Sequence, residues 1–163
     1  MTDQNMRLIL AGDPVEAIEA AKRLIADDIV DGAPLAKVAT NKKNRPWARI
    51  AAIYALGFAD DESTAGLVLT DIVGDRDDIE ECRARAAEAL GHLREPRTVP
   101  LMKKILARDD SPRVKRWCVY ALSEIGCAKA LGVLKTFALT KRTGEVGEEL
   151  RAALIPALTF CRR

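Results

Sequence analysis

Between residues 46 and 160 the apolar and polar positions repeat one phrase. Arg49, Arg83, Lys115 and Arg151 open its copies, spaced 34, 32 and 36 residues apart. Six residues after each stands an alanine (Ala55, Ala89, Ala121, Ala157), and the next residue is always leucine (Leu56, Leu90, Leu122, Leu158). Three residues before each alanine is a small or aliphatic side chain, Ala52, Ala86, Cys118 or Leu154, and just before each basic residue comes Ala48, Cys82, Val114 or Leu150. Steps of three and four residues are the apolar stripe of a helix. A fixed period in this range marks a stacked array of helical repeats.

Each ladder helix is expected to be followed by a short turn and a second helix. The first should run from about Pro46 to Phe58, with proline at the first helical turn, and its partner from about Thr64 to Gly74. The second should start near Asp78, capped by Asp77 or Asp78, with Glu80 and Glu81 in the turn where the helix dipole favours acids. Leu93, Val99, Leu101, Met102, Ile105 and Leu106 align without a gap on Ile125, Leu131, Val133, Leu134, Phe137 and Ala138, giving the second helices a buried stripe. Ser111-Pro112 announces the third ladder helix. Gly57, Gly91 and Gly126 fall where a left-handed closing residue is expected.

The ends match the phrase poorly. Pro14–Ala26 and Pro34–Asn41 read as helices of a degenerate capping repeat, with a solvated outer face. The domain reading is a single array over 1–163: a cap over 1–45, repeats over 46–77, 78–110 and 111–144, and a C-terminal helix or cap over 145–163. Pro156 should kink that last helix. Leu150, Leu154, Ile155, Leu158 and Phe160 would be left partly uncovered, open to self-association.

Composition agrees with helices: 48% of residues are hydrophobic but only 4% aromatic, with alanine and leucine dominant. No apolar run approaches the ~18 residues of a membrane span. The opening Met-Thr-Asp-Gln-Asn lacks a signal-peptide layout, so the expectation is a soluble, cytoplasmic chain that engages no membrane. Cys82, Cys118, Cys127 and Cys161 form no C-x-x-C pair, and two of them occupy ladder positions, as small buried hydrophobes do. Net charge is only +2, but residues 60–81 carry net −8 and residues 83–142 net +9. Charge segregated along an array becomes charge segregated along its surface.

The phrase V-R-x-x-A-x-x-A-L-G, a turn and an L-x-x-L-L helix resembles the bacterial HEAT-like repeats, the variety also found in phycobilisome lyases. Here it stands as Cys82-Arg83-Ala84-Arg85-Ala86-Ala87-Glu88-Ala89-Leu90-Gly91, followed by Val99 to Leu106. The resemblance implies an all-α, right-handed α-solenoid of antiparallel helix pairs. It also implies that Arg49, Arg83, Lys115 and Arg151 are structural, pairing between neighbours or with loop carboxylates such as Asp60, Asp61, Asp75, Asp77, Asp109 and Asp110. Deoxyhypusine hydroxylases share the repeat form but bind iron through several His-Glu pairs, whereas His92 is the single histidine and is followed by Leu93. DNA glycosylases of this form use an acid and aromatics, whereas Trp47 and Trp117 occupy different repeat positions.

No catalytic constellation emerges. His92 follows Gly91 as a turn residue without a Cys or Ser-Asp partner in view. Gly144-Glu145-Val146-Gly147 lacks the Lys-Ser/Thr of a phosphate loop, and Ser63, Ser111 and Ser123 lack an elbow motif. No cofactor or metal is called for. In such arrays the second helices are expected to line the concave face, where Arg97, Lys103, Lys104, Arg108, Lys129 and Lys135, with Thr70 and Asp71 at the other end, would meet a partner. The leading expectation is a non-enzymatic protein-binding module: an adaptor, assembly factor or inhibitor. The alternative is nucleic-acid binding through the basic half, and the third reading is a bilin-lyase-like enzyme.

Overall fold

The computed structural model describes residues 2–27, 30–108 and 111–140. The fourth ladder position, Arg151, the helix expected over 145–163, and Asp109 and Asp110 lie outside the described residues. Within them run nine α-helices and no strand: α1 (Thr2–Ala11), α2 (Pro14–Ala26), α3 (Gly32–Thr40), α4 (Pro46–Leu56), α5 (Glu62–Gly74), α6 (Glu80–His92), α7 (Val99–Arg108), α8 (Pro112–Ile125) and α9 (Ala128–Thr140).

The helices form two layers. The ladder helices α4, α6 and α8 stack in order, preceded by α2, and α3, α5, α7 and α9 stack beside them. The recurring positions are what the stack buries: Ala48, Ala52, Ala55 and Leu56 in α4, Cys82, Ala86, Ala89 and Leu90 in α6, Val114, Cys118, Ala121 and Leu122 in α8. One apolar core thereby runs from Ile9 to Phe137. The second helices contribute the expected stripe, with Val99, Met102, Ile105 and Leu106 buried in α7 and Leu134 and Phe137 in α9.

Helix α1 was not foreseen. It is too short to hold by propensity alone, and it packs on α2 and α4 with Ile9 fully buried. Capping also differs from expectation at α6, whose N-cap is Ile79 with no side-chain cap. Ser111 does cap α8, its Oγ accepting from the Val114 N–H at 3.0 Å. Asp13 and Glu16 close a capping box at α2.

Two of the three glycines have a different job from the expected one. Gly126 ends α8 in the left-handed conformation, φ 62°, but Gly57 has φ −64° and Gly91 lies inside α6. They permit close approach. A Cβ on Gly57 would stand 3.1 Å from the Cα of Ala89, and one on Gly91 would stand 3.0 Å from the Cα of Ala121. Each glycine therefore seats on the ladder alanine of the next repeat. The ladder helices meet backbone to backbone, and the second helices, separated by leucine, methionine and phenylalanine, approach one another less closely.

Candidate functional site

Two of the basic ladder residues, Arg49 and Arg83, are buried fasteners. Arg49 is 1% exposed. Its Nε donates to the Ala39 carbonyl at 2.8 Å, and Nη1 and Nη2 donate to the two carboxylate oxygens of Asp78 at 2.7 and 2.6 Å. Arg83 repeats the first contact, its Nε donating to the Val73 carbonyl at 3.2 Å. Both carbonyls lie in the last turn of a second helix, where carbonyls lack helical partners and the dipole favours a cation. Burial alone would raise the Asp78 carboxyl, but the Arg49 guanidinium and the Ile79 N–H outweigh it and hold it below the usual aspartate range. Arg49 thus pairs with an acid assigned from the sequence to a helix cap. Of the acids proposed as partners, Asp61 instead caps α5 and Asp75 pairs with Lys42. Lys115 lies half-buried on α8.

The opposite side of the ladder helices carries a different set of residues in the same register. Tyr54, Glu88 and Tyr120 stand one residue before the ladder alanine, and Phe58, His92 and Glu124 three after it. Arg85 and Trp117 stand four before it, and Glu81 and Arg113 eight before it. Steps of four, three and four residues keep these on one helix face. Side by side, the helices join them into an aromatic string. Tyr54 meets Phe58 edge-on at 5.7 Å, and Phe58 stacks on His92 at 4.8 Å. His92 meets Tyr120 at 6.0 Å, and Tyr120 meets Trp117 at 5.5 Å.

Ion pairs brace the string. Arg85 lies 5.6 Å from the centre of the Trp117 ring, and its Nε and Nη1 reach Glu81 and Glu88 at 2.9 and 2.7 Å. Burial would lower the Arg85 pKa, but those two carboxylates outweigh it and keep the cation charged. Arg113 of α8 crosses to Glu81 of α6, and Arg94 reaches Glu124 at 3.6 Å. Burial, with Glu124 and Glu88 nearby, pushes the Tyr120 phenol up, so it stays a neutral donor. The string is half-exposed, and Phe58 is its most open ring at 38%.

The structure places the partner-binding residues expected from the sequence on α5, the turn before α7, α7 and α9. Lys104 and Arg108 line a cleft of about 230 Å³ between α5 and α7 with Gly74, Arg76, Arg83 and Ile105. Arg97 turns onto Glu95, its Nη2 at 2.6 Å from Oε2. The Thr70 hydroxyl donates into its own helix, to the Gly66 carbonyl at 2.6 Å. Lys103, Lys129, Lys135 and Asp71 are exposed on α7, α9 and α5. His92, expected in a solvent-exposed turn, ends α6 between two rings. Trp47 donates its indole N–H to the Gly12 carbonyl at 3.1 Å and takes no part in the string.

Residues 68–155, more than half of the chain, match the family of HEAT repeats. The chain belongs to the HEAT-repeat family. Its fold is similar to a chain of the complex of CpcE and CpcF of phycocyanin lyase from Nostoc sp. PCC7120, with TM-score 0.72, 18% identity and 96% of each chain covered. It is also similar to human deoxyhypusine hydroxylase, with TM-score 0.68, 16% identity, 99% of this chain and 73% of that one. At such identities the likeness is one of fold. No curated protein sequence matches the chain.

In this HEAT-repeat protein the described residues hold no group of three or more His, Cys, Asp and Glu side chains placed for a metal ion. Nor is any helix among them long and apolar enough to cross a membrane. Cys82 and Cys118 are buried, and burial pushes the Cys82 thiol up, away from the reactive thiolate. The aromatic string left a trace in the sequence. It sits at fixed offsets from the same alanines that define the ladder, on positions that the search for apolar repetition passed over.

Proposed function

We propose that this HEAT-repeat chain is a non-enzymatic protein-binding module, an adaptor, assembly factor or inhibitor, that holds its partner along the exposed face of the ladder helices. The observation that carries the reading is the aromatic string from Tyr54 to Trp117, which crosses three consecutive repeats. Tyr, Trp and Arg dominate interface energetics where they sit in a preorganised patch. Here Arg85 is already held by Glu81, Glu88 and the Trp117 ring, which lowers the ordering cost of association. At ~10 Å per packed helix the string spans about 20 Å, the scale of an interface core.

Curvature supports the same face. Two layers that share their turns bend toward the layer whose helices lie closer, and the Gly57–Ala89 and Gly91–Ala121 contacts make that the ladder layer. On this reading the inner face is the ladder face, the reverse of the arrangement expected from the sequence, and Lys103 and Lys135 lie on the outer layer. The fold neighbour from Nostoc was itself solved as a complex of two proteins.

The test is a pull-down from native-host lysate with the tagged chain, with and without nuclease, read by mass spectrometry. The expected result is one stoichiometric protein that survives nuclease, is lost with Trp117→Ala/Tyr120→Ala, and is kept with Lys103→Glu/Lys104→Glu/Lys135→Glu. Recovery that collapses with nuclease and with the lysine variant would overturn the reading in favour of nucleic acid on the second-helix layer, where Lys104, Arg108 and Arg76 share a cleft.

A further inference from the structure

Beside Phe58 and His92 the aromatic string borders a groove of about 430 Å³ between the ends of α2, α4 and α6. Phe58 and Ala59 come from the turn after α4, Ile25 from the last turn of α2, Val30 from just before α3, and His92 and Leu93 from the end of α6. Apart from His92 these side chains are apolar, with one exposed ring, Phe58, among polar backbone atoms. The rim is acidic: Asp60 and Glu62 both line the groove and are exposed. Neither has an ion-pair partner among the described residues, while Asp75, Asp78, Glu81, Glu88, Glu95 and Glu124 each have one. The stretch that follows the groove is the most acidic of the chain, with nine acids and one base over 60–81.

We infer that this groove receives a basic segment of the partner protein, an apolar side chain seated against Phe58 and His92 with a flanking Lys or Arg on Asp60 and Glu62. The inference rests on the protein-binding reading and specifies the chemistry of the partner. A site of this volume is the size of a small-ligand pocket and suits one large side chain with its neighbouring backbone rather than a broad protein face. The exposed Phe58 ring supplies the apolar contact and the two unmatched carboxylates supply charge selection, which steers encounter and rejects acidic segments. Asp60, Glu62 and His92 are not placed to hold a metal ion together, and a cationic side chain is the complementary group for the two carboxylates.

The test is selection of a displayed library of random dodecapeptides against the full chain. Enrichment of an aliphatic or aromatic residue next to Lys or Arg is expected. For the selected peptides, Asp60→Asn/Glu62→Gln should weaken binding about five-fold at low salt, with the difference fading as salt rises. Phe58→Ala should weaken it about ten-fold or more, and Lys103→Glu/Lys104→Glu should leave it unchanged. The neutral pair alters only exposed side chains, so its effect does not depend on how Phe58→Ala folds. No enrichment, enrichment without basic residues, or binding indifferent to both variants would overturn the inference. Peptides that depend on Trp117 and Tyr120 but not on Phe58, Asp60 or Glu62 would overturn the groove and leave the ladder-face reading standing. Groove-dependent peptides, with a lysate partner indifferent to Trp117→Ala/Tyr120→Ala, would do the reverse.

Discussion

Replacing Asp78 by asparagine keeps the shape of the side chain and removes the charge that faces Arg49. In the native chain the two side chains are 1% and 3% exposed and joined by two hydrogen bonds. The change leaves a guanidinium inside the protein with only neutral acceptors, the Ala39 carbonyl and the asparagine Oδ1, and a buried charge that has lost its counter-ion costs about 3–5 kcal/mol. Against a total stability of about 5–15 kcal/mol that is about a fifth or more. In a domain of this size it lowers the melting temperature by roughly 10 °C. Urea titration and thermal melts followed by far-ultraviolet circular dichroism give both numbers. Arg49→Met with Asp78→Leu removes both charges and should recover most of the loss, because an apolar pair of similar volume avoids desolvation. The pH dependence has a fixed sign. The folded Asp78 carboxyl lies below its unfolded value, so its contribution is present above about pH 4 and lost as pH falls through the folded pKa. Asp78→Asn should lack that part of acid unfolding. A loss under about 1 kcal/mol, or a double variant no better than the single one, would refute the reasoning.

Other outcomes follow from the same contacts. Lys42→Ala breaks an ion pair whose side chains are 52% and 35% exposed and should leave the urea midpoint within experimental scatter. Gly91→Ala forces a methyl against Ala121 and should lose about 1–2 kcal/mol despite the better helix propensity. Gly132→Ala in α9, where nothing lies within 4 Å of the added Cβ, should gain about 0.5–1 kcal/mol in the same urea assay. Cys82 and Cys118 should react with a thiol reagent only at the rate of global opening, whereas the half-buried Cys127 reacts ahead of them; fast labelling of Cys82 in the native chain would contradict its burial.

The ladder was legible because its cause is local and repeated. Alanine and leucine at one register meet the same neighbours in every repeat, so α4, α6 and α8 and the stripes of α7 and α9 could be read without coordinates. What failed involved partners far apart in sequence. Gly57 resembles a helix cap when read with its neighbours, and only the position of Ala89 shows that it is a contact point. Arg49 had several acids to choose from, and the choice of Asp78 depends on how the loop before α6 folds. The aromatic string lay between these cases. Tyr54, Tyr120 and Trp117 kept register with the ladder, but their contacts run through Phe58 and His92, whose side chains differ from repeat to repeat. Helix α1 is held by α2 and α4, and no local signal announced it.

The Arg49 fastener has a consequence for how the array comes apart. Its guanidinium hangs from the end of α3, stands on α4 and is neutralised by the loop that opens α6, so one side chain belongs to three successive repeats. If the middle repeat frays, its neighbours lose a carbonyl partner on one side and a counter-ion on the other. Stacked repeats that touch only through apolar surface can peel from an end one at a time. A charge shared across three of them penalises partial opening, so this stretch of the chain is biased to stay whole or melt together.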